Sequence, residues 1–511
     1  MYFFNSLLFA TVVLSTGNYC HGAKEAISLG QGIMAGRVTE HSVILQSRLT
    51  RGKQLVDGDL PGSSGVARFE ISRSRVFRKA HRSEWIEARP DYDHIVKAEI
   101  KDLESGTRYY YRLRFGSDKL KTRISRTGTC QTLGGRDSIS ETSFVAVTGM
   151  CYQFFHYGYY LRPDHQAYRG PDKHLGYPAL EAILNMHPRL FIGTGDNVYY
   201  DHPNTYSMGQ DGLEPPIGGW YDRAKTPSEL RRKYHEQFVQ PRFIDLFAEV
   251  PTYWMKDDHD YRFNDSDPYM QGADFEGAQG APRPSHELGV ATFLEQLPVA
   301  DPKDPAPLSY GTYRINRLIQ IWITENREFR SPNRMPDGPK KSLWGERQRD
   351  WLKETLLASD APVKIMISST AMVGPSNEKK IDNHTSGFVY ERNAFFQWLT
   401  EKGLIGNHFY LICGDYHWPF HALDPSGVEE FSTGALVSAN AVYPPSYQPG
   451  HPASTDPDGK IVHLFGPKDP KGGFLYVSLK PEADQRTALL TFSYYDVSGN
   501  LQYAITRSVA F

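Results

Sequence analysis

The sequence has few cysteines and almost no excess of charge. Its 511 residues include only 4 cysteines, too few for the disulfide framework of a small secreted scaffold. The 57 lysines and arginines nearly balance the 59 aspartates and glutamates, so the formal net charge is -2. These features argue against an obligate polyanionic partner, and we expect no nucleic-acid-binding tail. The cysteines therefore act individually.

Long apolar runs are also missing. The run Leu7–Leu14 is well short of the roughly 20 residues that cross a bilayer. It is followed by a polar stretch and by the small residues Gly22 and Ala23. This pattern predicts a secretory signal peptide over residues 1–23, with a membrane anchor as the alternative, and cleavage would remove Cys20. We expect a secreted, periplasmic or extracellular protein with no integral membrane segment.

The N-terminal region has the alternation typical of strands. Within residues 24–135, Ala67, Phe69 and Ile71 alternate with polar residues, as in half-buried antiparallel strands. A Leu-x-x-Gly-Thr-x-Tyr-x-Tyr string that includes Tyr109 resembles the turn and late strand of fibronectin type III-like sandwiches. We therefore predict an N-terminal all-β domain, with Tyr109 as a candidate tyrosine corner.

From residue 140 to residue 511, apolar strand-like runs alternate with helical segments. One helix begins with a capping box from Thr226 to Glu229, with Pro227 at its first position. This alternation predicts an α/β catalytic domain. The predicted strands include Phe144–Val147, Leu190–Ile192, Thr252–Met255, Ile319–Ile323, Val363–Ile367 and Phe409–Ile412. Loops at 208–219 and 271–284 are expected to border a site.

Chemically active residues follow most of these strands. Ligands of open α/β sheets bind beyond the carboxyl ends of the strands. The segments at those positions are Gly149–Cys151, Gly195–Tyr199, Asp257–Asp260, Glu325–Arg327, Ser368–Thr370 and Gly414–His417. Three of them carry aspartates and two of these three add a histidine, so the pocket requires cations. Carboxylate and imidazole suit divalent metals, thiolate and phenolate favour ferric iron, and oxygen-rich sites accept calcium.

A two-metal site of this kind is suited to phosphate-ester hydrolysis, with Arg327 matched to phosphate oxygens. In order and spacing, the motifs resemble the alkaline phosphatase D (PhoD-like) family of metallophosphoesterases. The motifs are at Cys151 and Gln153, Asp196 and Tyr199, Asp257–Asp260, Glu325–Arg330, Gly345–Leu352, and Asp415 and His417. The resemblance implies a four-layer α/β/β/α sandwich after the fibronectin III-like domain. It also implies ferric iron (Fe3+) with calcium, and another divalent metal is the alternative.

The resemblance further implies roles for individual residues. The metal ligands would be Cys151, Asp196, Tyr199, Asp258, Asp415 and His417, and the catalytic residues His259 and Arg327. Asp196 would bridge the iron and the second metal. For Cys151 a buried inert thiol is the alternative, and Cys413 is expected in the core. The segment 382–384 is either an additional ligand segment or an exposed loop.

The sequence therefore predicts a monomeric phosphatase acting on small phosphate monoesters, and on diesters as a second class. A metal-bridging hydroxide would attack phosphorus while His259 assists the leaving oxygen. One alternative is a phosphodiesterase or phospholipase-type hydrolase of lipid head groups or nucleotides. The other is a catalytically inactive extracellular binding module.

Overall fold

The computed structural model describes residues 26–158, 165–202, 224–270, 283–483 and 486–511. The predicted signal peptide and Cys20 lie outside the described residues, as do the predicted loop at 208–219 and most of that at 271–284. None of the helices in the described ranges combines the length and apolarity needed to cross a bilayer.

The strands in these ranges are β1 Ile33–Gly36, β2 Val43–Arg48, β3 Gly65–Ser72, β4 His81–Arg82, β5 Ile86–Ala88, β6 Ile95–Ile100, β7 Arg108–Gly116, β8 Thr122–Ile124, β9 Gly128–Gln131, β10 Thr142–Val147, β11 Leu190–Gly193, β12 Thr252–Trp254, β13 Gly311–Arg314, β14 Ile319–Ile323, β15 Val363–Ser368, β16 Phe409–Cys413, β17 Pro419–Leu423, β18 Glu429–Thr433, β19 Val462–Phe465, β20 Gly473–Pro481, β21 Thr487–Asp496 and β22 Leu501–Ala510. The α-helices are α1 Tyr152–Tyr157, α2 Pro178–Asn185, α3 Pro227–Phe238, α4 Pro241–Glu249, α5 His286–Gln296, α6 Gly345–Ala358 and α7 Val389–Glu401.

The N-terminal region is all β, as its alternation predicts. One sheet has the order β4-β3-β7-β8, with β5 paired to β3 and β9 paired to β7. The hydroxyl of Tyr109 accepts a hydrogen bond from the backbone N–H of Glu104 at 2.9 Å, which confirms the tyrosine corner. Cys130 on β9 and Cys413 on β16 are buried free thiols, and Cys413 lies in the core as expected.

The other N-terminal strands extend a much larger sheet, of order β22-β21-β20-β10-β11-β12-β1-β2-β6. Its N-terminal strands β1, β2 and β6 join the strands of the catalytic region where β1 pairs in parallel with β12, with Gly36 opposite Thr252. Alternation predicts the strands, but it does not identify a partner more than two hundred residues away. The all-β region is therefore hydrogen-bonded to the catalytic core.

The second large sheet, β13-β14-β15-β16-β18-β17-β19, packs on the first. The layer between them is aliphatic and includes Ala146, Ile192, Ile321, Ile365 and Ile412. Outward-facing residues of the first sheet pack against α2 to α5, and those of the second sheet pack against α6 and α7. Burial of both faces explains the continuous apolar strand runs. This confirms the predicted four-layer α/β/β/α core.

The start of helix α3 is where the capping box predicted from the sequence places it. The Thr226 side chain accepts from the Glu229 backbone N–H, and Glu229 accepts from the Thr226 backbone N–H at 2.9 Å. Pro227 begins the helix without losing a hydrogen bond, since the first N–H groups of a helix have no internal partner. The predicted capping box is confirmed.

Candidate metal centre

The carboxyl ends of strands from both large sheets meet beside one cavity of about 760 Å³. Among the predicted site residues, five line it: Asp196, Tyr199, His259, Asp415 and His417. They come from segments that follow β11, β12 and β16. The chain therefore brings together residues separated by more than two hundred positions, as the strand-end rule requires.

The backbone at these strand ends is unusual. Asp196, Asp415 and His417 have φ values of 53°, 64° and 52°, in the left-handed region that non-glycine residues rarely adopt. Gly195, with φ of 106°, passes so close to Asp257 that an added Cβ would lie 2.5 Å from the Asp257 Cβ. Such conformations cost free energy and are concentrated at functional sites. Here they turn side chains into the cavity.

Asp196, Tyr199 and His417 form one cluster. His417 Nε2 lies 2.7 Å from Asp196 Oδ2, and the Tyr199 hydroxyl donates to the same oxygen at 3.1 Å. Asn440, which no sequence motif indicated, donates to the Tyr199 oxygen at 2.8 Å. Burial and the nearby Asp196 raise the pKa of Tyr199 well above its usual value. A phenolate at this position therefore requires a cation.

Asp258 and His259 follow β12. Asp258 accepts backbone hydrogen bonds from His259 at 3.0 Å and from Asp265 at 2.6 Å. Although burial opposes it, Arg327 and His259 hold the pKa of Asp258 below its usual range. One oxygen or nitrogen atom from each of Asp196, Asp258 and His259 lies within 4.8 Å of the others. The two carboxylates are thus close enough to share a cation, with the His259 ring beside them.

His259 has a carboxylate partner that sequence reasoning missed. Its Nδ1 lies 2.7 Å from Oδ1 and 2.9 Å from Oδ2 of Asp201. Asp201 also accepts from the backbone N–H of Asn264 at 2.9 Å. Burial opposes protonation, but Asp201 and Asp258 raise the pKa of His259 well above its usual value. The pair can therefore hold a proton at the cavity.

Arg327 is completely buried and is not among the residues that line the cavity. Its Nε donates to Asp257 Oδ1 at 2.5 Å and its Nη1 donates to Asp382 Oδ2 at 3.0 Å. Nη2 lies 3.9 Å from Asp258 Oδ2. The structure thus gives Arg327 carboxylate partners in place of the predicted phosphate, because each buried carboxylate needs a counter-charge. Contact with phosphate stays a prediction.

The segment 382–384 is buried, so the alternative of an exposed loop is wrong. Asp382 belongs to a second possible metal-holding group with Asp258 and Asp265. His384 does not join it, since its Nε2 pairs with Glu391 Oε2 at 3.1 Å. The segment therefore contributes a carboxylate and not an imidazole.

Cys151 is buried at the start of α1, with its Sγ 3.9 Å from Gln153 Oε1. Burial raises the pKa of its thiol. It belongs to none of the groups of three potential ligands found among the described residues. Its role as an iron ligand stays a prediction.

The remaining polar atoms of the site fit a metal. Asp196 Oδ1, Asp257 Oδ2 and Asp415 Oδ2 are buried and have no hydrogen-bond partner in the described part of the chain. Burial, opposed in part by Lys380, raises the pKa of Asp415 to about 6. Burial and the nearby Asp196 raise the pKa of Asp260 to about 7. A dense set of buried carboxylates is stable in its charged form only when cations balance it.

Fold and site together define an α/β metallophosphatase core preceded by an all-β domain. The family model of PhoD-like phosphatases matches residues 166–461, which is more than half of the chain. The model of the N-terminal domain of PhoD-like phosphatases matches residues 17–134. The chain belongs to the PhoD-like phosphatase family.

Individual proteins resemble this chain in sequence or in fold. The chain is 22% identical over 408 residues to alkaline phosphatase D of Bacillus subtilis (strain 168), a match covering 76% of this chain and 64% of that protein. A solved structure of PhoD matches with a TM-score of 0.71 and 17% identity, over 94% of this chain and 90% of the other. Purple acid phosphatase PPD1 from yellow lupin (Lupinus luteus) matches with a TM-score of 0.54 and 12% identity, over 93% and 73%. At these identities the two structures show a shared fold.

Proposed function

We propose that this protein is an exported, metal-dependent phosphatase that hydrolyses phosphate monoesters, with diesters as a second substrate class. The observation that carries the proposal is the convergence of Asp196, His259 and His417 on one cavity, with Asp258 close to Asp196 and His259. One buried oxygen of Asp196 has no hydrogen-bond partner among the described residues. The similarity to alkaline phosphatase D of Bacillus subtilis supports the activity.

The site would hold ferric iron and calcium. We assign the ligands Cys151, Asp196, Tyr199, Asp258, Asp415 and His417. When bound, the metals would supply a nucleophilic oxygen near neutral pH and offset negative charge on the phosphate. Asn440 orients Tyr199 through the hydrogen bond to its hydroxyl, and the left-handed turn at Asp196 aims that carboxylate into the cavity.

His259 would donate a proton to the leaving oxygen. Asp201 holds Nδ1, so Nε2 is the ring nitrogen that remains for the substrate. The carboxylate keeps the imidazole protonated before transfer and fixes the ring plane during transfer. Asp201 and His259 already form this hydrogen-bonded pair in the structure.

The test is hydrolysis of a chromogenic phosphate monoester and of the diester with the same leaving group. We expect chelator to abolish turnover and added iron and calcium to restore it. Asp196→Asn should lower kcat/KM by at least about 100-fold, while Asp350→Asn, on the exposed surface of α6, should not change it. Metal-loaded protein that turns over neither ester would refute the proposal and would favour the binding-module alternative.

Export and the boundaries at residues 23, 24–135 and 140–511 belong to the same proposal. The match of the N-terminal family model supports the division between the two domains. N-terminal sequencing of protein recovered from the culture medium or periplasm should begin near Lys24. An intact Met1 on exported protein would contradict the predicted signal peptide.

A further inference from the structure

Lys380 lines the cavity but belongs to none of the motifs from which the site was predicted. Its side chain is only 14% exposed. Nζ donates to Asp265 Oδ1 and to Asp415 Oδ1, both at 3.0 Å, and lies 3.6 Å from Asp382 Oδ1. A lysine is thus placed directly beside an assigned metal ligand.

The ammonium of Lys380 places a positive charge beside one of the clusters of aspartates. Asp258, Asp265 and Asp382 form a group that could hold a metal, and Nζ lies close to two of its three members. Its hydrogen bonds to Asp265 and Asp415 place the ammonium between two carboxylates, which stabilise its positive charge. This part of the cavity therefore carries a fixed positive charge that belongs to the chain.

The ammonium also has capacity for a ligand. It offers three N–H donors, and two are used by Asp265 and Asp415. Asp382 Oδ1, at 3.6 Å, is beyond hydrogen-bond distance. Among the residues that the structure describes, the third donor has no hydrogen-bond partner, and it can bind an anion in the cavity that Lys380 lines.

We propose that Lys380 binds the phosphate group of the substrate and selects for the dianion of a monoester. The inference rests on the proposed function. Near neutral pH a phosphate monoester carries about -1.5 to -2 charges, because its second pKa is near 6. A diester carries one charge, and a second ester group replaces one anionic oxygen. A fixed ammonium therefore stabilises the bound monoester more than the bound diester.

The adjacent Lys379 provides a matched control. It lines the same cavity but is exposed, and its backbone N–H donates to Asn377 Oδ1 at 2.8 Å. Lys380→Gln and Lys379→Gln make the same charge change one residue apart. Lys380→Arg keeps the charge at the site. The three variants separate a specific contact from a general change in cavity potential.

The measurement is kcat/KM for a monoester and a diester with the same leaving group. We expect Lys380→Gln to lower the monoester value by about 100-fold and the diester value by about 10-fold. The ratio then changes about 10-fold, or about 1.4 kcal/mol. Lys379→Gln should change the ratio less than about 2-fold, and Lys380→Arg should restore most of it. A lost cation that merely disturbs metal ligands lowers both values equally, and that result would overturn the inference.

Two further measurements separate this inference from the proposed function. Calorimetric titration of metal-loaded protein with inorganic phosphate should show about 10-fold weaker binding for Lys380→Gln and unchanged binding for Lys379→Gln. Elemental analysis should show equal metal content in all three variants. Unchanged phosphate affinity in Lys380→Gln would refute the contact. Failure of the wild-type protein to hydrolyse either ester would refute the proposed function, while phosphate binding still tests Lys380.

Discussion

If His259 donates a proton with the help of Asp201, the loss of activity on removing the Asp201 charge should depend on the leaving group of the ester. Replacing Asp201 with Asn removes a charge that lies 2.7 and 2.9 Å from His259 Nδ1. The side chains of His259 and Asp201 are only 12% and 8% exposed, respectively, so solvent screens their interaction weakly. The amide still accepts one hydrogen bond, so the ring keeps its place but loses the partner that favours its protonated form.

The size of the effect follows from what proton donation contributes. General acid catalysis supplies about 10²- to 10⁴-fold when the leaving oxygen is a poor leaving group. We expect Asp201→Asn to lower kcat/KM for an alkyl phosphate by about 100-fold, or about 2.7 kcal/mol. A nitrophenolate leaves without a proton, so the same variant should lose less than about 5-fold on that ester, because little proton transfer remains to be lost.

The assay compares the two esters at saturating metal, with thermal unfolding as the control for folding. His259→Gln should show the same dependence on the leaving group. Asn264→Ala keeps its backbone N–H to Asp201 and should leave both rates nearly unchanged. Equal losses on both esters would show that Asp201 supports the site as a whole, and the assignment of His259 as proton donor would fail.

Two stability predictions concern other buried charges. Although burial opposes it, His235 and Arg48 hold the pKa of Asp93 below its usual range. As pH falls, Asp93 is therefore protonated in the unfolded chain before it is protonated in the folded protein, and the free energy of unfolding decreases below about pH 5. Asp93→Asn should lower the free energy of unfolding at pH 7 by about 2–3 kcal/mol and flatten its dependence between about pH 5 and 3; an unchanged acid slope in denaturant titrations would contradict this. Arg327→Gln leaves Asp257 and Asp382 without their guanidinium partner and should cost about 3–5 kcal/mol of stability. A raised KM with unchanged stability would instead restore the predicted phosphate contact.

Much of the fold could be predicted from sequence because its signals are local. The capping box at Thr226 fixes the start of α3, and uninterrupted apolar runs such as Val363–Ser368 report burial on both faces of a strand. The pairing of Gly36 with Thr252 has no such signal. It depends on which strand edge is available after the core has assembled, and a linear pattern contains no such information.

In the candidate site, too, some residues have a local sequence signal and others are identified only by contacts distant in sequence. Asp196, Asp258 and His417 stand in recognisable strings at strand ends, so their convergence could be expected. Asp201 and Lys380 lie in segments with no periodic or motif signal. Each becomes visible only through a partner distant in sequence, His259 for Asp201 and Asp415 for Lys380. Which buried charges balance one another depends on the folded arrangement of all the charged side chains in the site. For this reason the sequence did not show that Arg327 pairs with Asp257 and Asp382.

The central claim is that the strand-end carboxylates hold metal ions on which turnover depends. Elemental analysis of purified protein, measured beside monoester hydrolysis for the wild type, Asp196→Asn and Asp350→Asn, tests it directly. We predict iron and calcium bound to the wild type and to Asp350→Asn, and loss of at least one metal together with activity in Asp196→Asn. Full turnover by wild-type protein that contains no metal would contradict the account.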